Sequence, residues 1–212
     1  MGKMLRKYIS SLVNGEGIFY LLRILQYPLN KIWFKEWHKS SYIKNPILIS
    51  GRKNISVGAN VIIMNNARIE AVKKYNDVLF HPNIIFKKRV SIQQGVHLTC
   101  ADSIIIGENT AIAAYVTITD INHPYDDIFK PIEHQDIEVR PVVIGKDSKI
   151  YNGAVILPGV NIGNHVTVGA NSVVTKDIPD YCVAVGAPAY IVKRYNFEKK
   201  KWMKTDKHGK FL

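Results

Sequence analysis

Apolar positions in the C-terminal half of this chain recur every six residues: Ile144, Ile150, Ile156, Ile162, Val168 and Val174. The same step appears at Val57, Ile63 and Ile69, at Ile84, Val90 and Val96, and at Ile106, Ile112 and Ile118. A helix repeats at 3.6 residues and a strand at two, so a run of sixes belongs to neither alone. Four residues beyond these positions come Val61, Ala67, Thr110, Val116, Ser148, Ala154, Val160, Val166 and Ser172, all small or β-branched. The residue before each is Asn60, Asn66, Asn109, Asp147, Gly153, Gly159 or Asn171, types that tolerate a left-handed backbone, with Tyr115 and His165 as exceptions. Each hexad thus predicts a short strand with one inward branched side chain, followed by a corner. Stacking such turns about 4.8 Å apart pairs their strand edges and closes one apolar interior, which is a parallel β-helix. The expected organisation is an N-terminal segment over 1–46, a β-helix over 47–186 and a tail over 187–212.

The longest break in the period follows Ile118. From Ile118 to Ile144 is 26 residues where the repeat needs six, so a segment over 119–143 leaves the coil and returns. An excursion of this kind adds nothing to the core, and such insertions gather on one face and often bind. It carries the stretch TITDINHPYDDIF, with His123 among carboxylates. An imidazole titrates near neutrality and suits proton transfer, provided that a partner fixes its other ring nitrogen. Asp120, Asp126 and Asp127 are the neighbouring candidates for that partner. His134 is expected to face solvent, and His81 and His97 to lie near a cleft. No two of His81, His97, His123, His134 and His165 fall within five residues of each other, so no metal site is expected.

Composition narrows the partners. With 212 residues and 47% hydrophobic content the chain can fill a continuous core. Its 29 Lys and Arg against 17 Asp and Glu give a formal charge of +12, attractive to phosphate-rich ligands, nucleic acid or an anionic membrane face. No nucleic-acid-binding module accompanies that charge, and nucleic acid is not an expected partner. Cys100 and Cys182 have no CxxC spacing, which points to reduced thiols and a cytoplasmic location. Residues 1–46 place Leu12, Phe19, Leu22 and Leu25 at helical spacing, but Asn14, Glu16 and Arg23 interrupt the apolar run, so neither a secretory signal nor a spanning helix is expected. This segment reads as a cap on the open end of the coil, or as a peripheral anchor on the inner membrane face using Trp33, Phe34 and Trp37. The basic tail lacks the repeat and reads as a mobile end.

The segments IIIGENTAIAAYVTITDINHP, PVVIGKDSKIYNGAVILPGVNIGNHVTVGANSVVTKDIP and VGAPAYIVKR together resemble the acyltransferases with hexapeptide repeats, most of all the sugar O-acetyltransferases, over roughly residues 50–194. The resemblance implies an all-β fold built on a left-handed parallel β-helix, a homotrimer and acetyl-CoA as acyl donor without a metal. It implies His123 as general base, with Gln93, Tyr125 and Asp126 toward the acceptor. Donor contacts are implied at Asn152, Ala170, Thr175, Lys176, Pro188, Lys193 and Arg194. The implied acceptor is a sugar, sugar nucleotide or lipid-linked glycan, and the implied setting is bacterial surface polysaccharide biosynthesis. Alternatives are N-acetylation of an amino sugar nucleotide or an antibiotic, and a β-helix kept as a non-catalytic scaffold. Three positions depart from relatives: Lys149 stands where many carry tryptophan, Asn152 replaces a smaller or neutral residue of the same coil, and Gln93 stands where some carry asparagine.

Overall fold

The computed structural model describes residues 16–206 and 209–212; Leu12 and Asn14 lie outside them. After helix α1 (Glu16–Trp33) the regular elements are short strands joined by turns, apart from single 3-10 turns at Arg52–Asn54 and Ile132–His134. Three sheets form the sides of a coil with parallel pairing throughout its body. The first face stacks Glu36–Trp37, Ile55–Val57, Asn83–Phe86, Ser103–Ile106, Val142–Ile144 and Asn161–Ile162. The third stacks Leu48–Ser50, Arg68–Ala71, His97–Cys100, Thr117–Thr119, Val155–Ile156 and Val173–Val174. The second face lies between them in each turn, and it is longer because the end of the chain adds to it.

The interior follows the hexads. Ile63, Ile69, Ile106, Ile112, Ile118, Ile144, Ile150, Ile156 and Val168 are buried, and so are the small corner residues from Val61 to Ser172. Asn60, Asn66, Asn109, Asp147, Gly153, Gly159 and Asn171 all have positive φ, and Tyr115 and His165, with φ of 60° and 54°, take the same conformation. The corner geometry is therefore imposed by stacking even where the residue type disfavours it.

Three features depart from the sequence reading. First, the coil begins at Glu36 and not at 47: Trp37, Ile43 and Ile49 pair with Val57, Ile63 and Ile69. The corner between Trp37 and Ile43 runs through Ser40 and Ser41, with no Gly or Asn to mark it, whereas the next holds Asn45 at a φ of 39°. Second, the third turn has a different frame. Phe86, Ile92 and Leu98, not Ile84, Val90 and Val96, align with Ile106, Ile112 and Ile118. Both the strand position and the corner position are apolar, so two frames fit a period of six. Third, the tail is structured: Ala189–Asn196 and Lys201–Lys204 add to the second face as antiparallel strands beyond Cys182–Gly186.

The open end of the first turn is closed by α1. Phe34 and Trp37 are 2% and 7% exposed and belong to the core, so of the three aromatics read as a membrane anchor only Trp33 is exposed. The side-chain amide of Gln26 donates to the Ile43 carbonyl at 2.6 Å and accepts from the Ile43 N–H at 3.0 Å. It thus supplies the two hydrogen bonds that a further strand would make to this edge.

Candidate active site

The excursion leaves the third face after Thr119. Its root is held by Asp120, which is fully buried and accepts from the Ala101 and Asp102 N–H groups at 2.8 and 2.9 Å and from the Cys100 thiol at 3.2 Å. Burial, and then the Asp120 carboxylate, push the Cys100 thiol well above its ordinary pKa. Both cysteines are free and buried. A short antiparallel pair, Ile121–Asn122 with Glu138–Val139, closes the base of the loop. Inside it, Gln135 donates to the carbonyls of Asp127 and Lys130, both at 3.0 Å.

A second excursion, unread in the sequence, spans 72–82 and forms a hairpin from Lys74–Tyr75 and Val78–Leu79. It brings Tyr75 against His123 edge-on, with ring centroids 5.3 Å apart and the hydroxyl 3.4 Å from Nδ1. The same hydroxyl lies 2.8 Å from the Glu133 carbonyl and 2.9 Å from Glu133 Oε2. Desolvation, followed by the Glu133 carboxylate, raises the Tyr75 pKa. The carboxylate nearest this arrangement is therefore Glu133, reached through Tyr75. Asp120 is committed to backbone N–H groups, and Asp127 accepts from the Phe129 N–H.

The remaining sequence candidates fall on two corners of the coil. Thr175 and Lys176 follow Val173–Val174 on the corner where His123 departs, two turns further along, about 10 Å by strand spacing. With Pro188 and Tyr190 they line an open groove of about 800 Å³. Gln93, Asn152 and Ala170 lie on the opposite edge of the third face, across a strand of about 13 Å. Asn152 and Ala170 are exposed in successive turns, and the Asn171 N–H donates to the Asn152 carbonyl. Tyr125 and Asp126 are exposed, and neither they nor Gln93 hydrogen-bonds His123. Lys193 is exposed, whereas the Arg194 guanidinium donates to the Gly209 carbonyl at 3.3 Å and lies over the Phe211 ring. Lys149 sits over the Tyr151 ring. His134 is exposed, and His97 is hydrogen-bonded to Thr99.

The groove suits a long donor with phosphates at one end. Beside it Lys176 and Lys193 are exposed to meet anions, and across the face Ala170 presents no side chain beyond Cβ. No group of three or more His, Cys, Asp or Glu side chains converges among the described residues.

Comparison with known proteins agrees with this architecture. The family described as bacterial transferase hexapeptide (six repeats) matches residues 141–176. The Escherichia coli K12 protein WbbJ, named for O-acetyl transfer in lipopolysaccharide biosynthesis, is 36% identical over 170 residues, covering 77% of this chain and 83% of that protein. Galactoside O-acetyltransferase from the same organism is 35% identical over 112 residues, 52% of this chain and 54% of that one. The crystal structure of a maltose O-acetyltransferase from Clostridium difficile 630 superposes with a TM-score of 0.52 at 26% identity, over 86% of this chain and 87% of that chain. The shared sequence and the repeat together place this chain in the hexapeptide-repeat transferase family, and within that family it is an acetyltransferase.

Proposed function

We propose that this enzyme moves an acetyl group from acetyl-CoA to a sugar hydroxyl in the synthesis of a bacterial surface polysaccharide. The observation that carries this reading is His123: its Nδ1 faces the Tyr75 hydroxyl, and its Nε2 has no partner among the described residues. The likeness to WbbJ and to two sugar O-acetyltransferases favours a hydroxyl over an amine as acceptor. The donor supplies an activated acyl group. His123 takes the acceptor proton as the oxygen bonds to the acyl carbon, and returns it to the departing thiolate. Transfer is direct, since both cysteines are buried and Cys100 is held protonated.

Donor contacts fall on Thr175, Lys176, Pro188 and Lys193 beside the groove and on Asn152 and Ala170 across the face. Arg194 holds the end of the chain and only borders the donor. The acceptor side is Gln93, Tyr125 and Asp126. Each set is divided between the two corners of the third face, with Gln93, Asn152 and Ala170 on one and the His123 loop, Thr175 and Lys176 on the other, so a complete site needs two copies, and a homotrimer of left-handed coils supplies three such junctions. In this organisation α1 caps the coil, the coil from Glu36 to 186 is the catalytic body with its loop at 119–143, and 187–212 completes the donor end. The enzyme works in the cytoplasm.

The test is thiol release from acetyl-CoA against hexoses, amino sugars and sugar nucleotides. Acceptor-dependent release should fall about 100-fold or more in His123→Ala. Full activity in that variant would overturn the assignment of the base. Acetylation of amines alone would move the reading to N-acetyl transfer. Bound acetyl-CoA with no turnover on monomeric or polymeric acceptors would favour a scaffold.

A further inference from the structure

Helix α1 has two unlike faces. Tyr27 and Gln26 turn to the first turn of the coil, while Leu21, Ile24, Leu25, Leu29 and Ile32 are exposed, Ile24 by 53%, Leu25 by 68% and Ile32 by 65%. At 3.6 residues per turn these five fall in one stripe about 140° wide. A contiguous aliphatic ridge of this kind marks an interaction surface, whereas scattered exposed leucines do not.

The rim of the ridge is basic. Lys53 Nζ reaches the Ile32 carbonyl at 2.5 Å, and the Arg52 guanidinium lies 5.0 Å over the Trp33 ring. Lys44 lies 5.5 Å over Phe19, and Lys31 lies 5.9 Å over Tyr27. Residues 17–69 hold eight Lys or Arg and a single acid, Glu36. A second copy of this face would carry the same charge and be repelled. A flat layer of anionic headgroups over acyl chains matches both parts at once, because aliphatic side chains insert without directional bonding and ammonium groups meet phosphates. No described helix is long and apolar enough to cross a membrane.

We propose that α1 seats this protein on an anionic lipid surface, with the ridge among the acyl chains and Lys31, Lys44, Arg52 and Lys53 against the headgroup phosphates. This holds or fails independently of acetyl transfer.

The experiment is flotation of the full-length protein with vesicles of phosphatidylcholine, with and without phosphatidylglycerol. The protein should float with the anionic vesicles, stay behind with the neutral ones, and be released by salt. Ile24→Ser, Leu25→Ser and Ile32→Ser combined should weaken flotation at least about tenfold. The paired Lys31→Glu and Lys44→Glu variant should weaken it by a similar factor. The serine variant should keep the wild-type circular dichroism and Tm, because the three aliphatic side chains are exposed. Failure to float with anionic vesicles would overturn the proposal, as would equal flotation with neutral ones or serine variants that bind like wild type. A changed solution mass in the serine variant would do so too, by assigning the ridge to a second copy.

Discussion

Tyr75 has one proton and two acceptors on Glu133 within 2.9 Å. While the hydroxyl donates its hydrogen bond to Glu133, the phenol oxygen can accept from the Nδ1–H of His123, which leaves the Nε2 lone pair open for the proposed role as base. Tyr75→Phe should therefore lower kcat about tenfold with little change in the KM for acetyl-CoA, measured by thiol release. The raised Tyr75 pKa keeps the hydroxyl protonated through the working range, and its contribution is lost only as pH climbs beyond the ordinary tyrosine range. Cys100 acts in the same direction on stability. Its folded pKa lies above the ordinary value, so the native state holds a proton that the unfolded chain releases. Stability should be undiminished by this group below about pH 9 and fall as pH rises beyond it, with a flatter alkaline limb in Cys100→Ala, read from urea midpoints. The position of His123 was legible because its loop breaks a strict period. Tyr75 and Glu133 were not, because 48 residues separate Tyr75 from His123 and neither hairpin nor loop follows a repeat.

The corners explain why the coils were readable and where the reading slipped. Gly107, Gly145 and Gly163 stack so closely that a Cβ on Gly145 would lie 2.5 Å from the Gly163 backbone. Gly145→Ala should cost about 1–3 kcal/mol, seen as a lower urea midpoint. Arg89 is a corner residue with φ of 60°, where most equivalent corners carry Asn, Asp or Gly. Arg89→Asn should raise stability by roughly 1 kcal/mol, read from the same midpoints. Residue type at the corners carried the prediction of turns from Ile55 onward. It failed at the first turn, where Trp37 fills a branched position and serines make the corner. It also failed in the third turn, where the 72–82 hairpin resets the count and leaves two admissible frames. The tail strands carried no signal because they pair antiparallel and half-exposed, outside the hexad rule.

A stack of this kind has two unequal ends, and each is finished differently. At the first, the Gln26 amide occupies the hydrogen bonds of the missing strand; at the last, the chain folds back as a hairpin over Cys182–Gly186. Gln26→Ala leaves both backbone groups of Ile43 without that partner. It should cost about 1–3 kcal/mol and raise aggregation, followed by light scattering on mild heating. The spacing of turns along the axis has a further consequence. His123 departs from the fourth turn, three spacings above the first, or about 14 Å. On the lipid seat and with the glycan acceptor proposed above, the coil would act as a ruler for the height at which that glycan is modified. Its graduations are backbone hydrogen bonds, so no side-chain substitution can rescale it. Only the gain or loss of a whole turn moves the reaction outward or inward, in steps of about 4.8 Å.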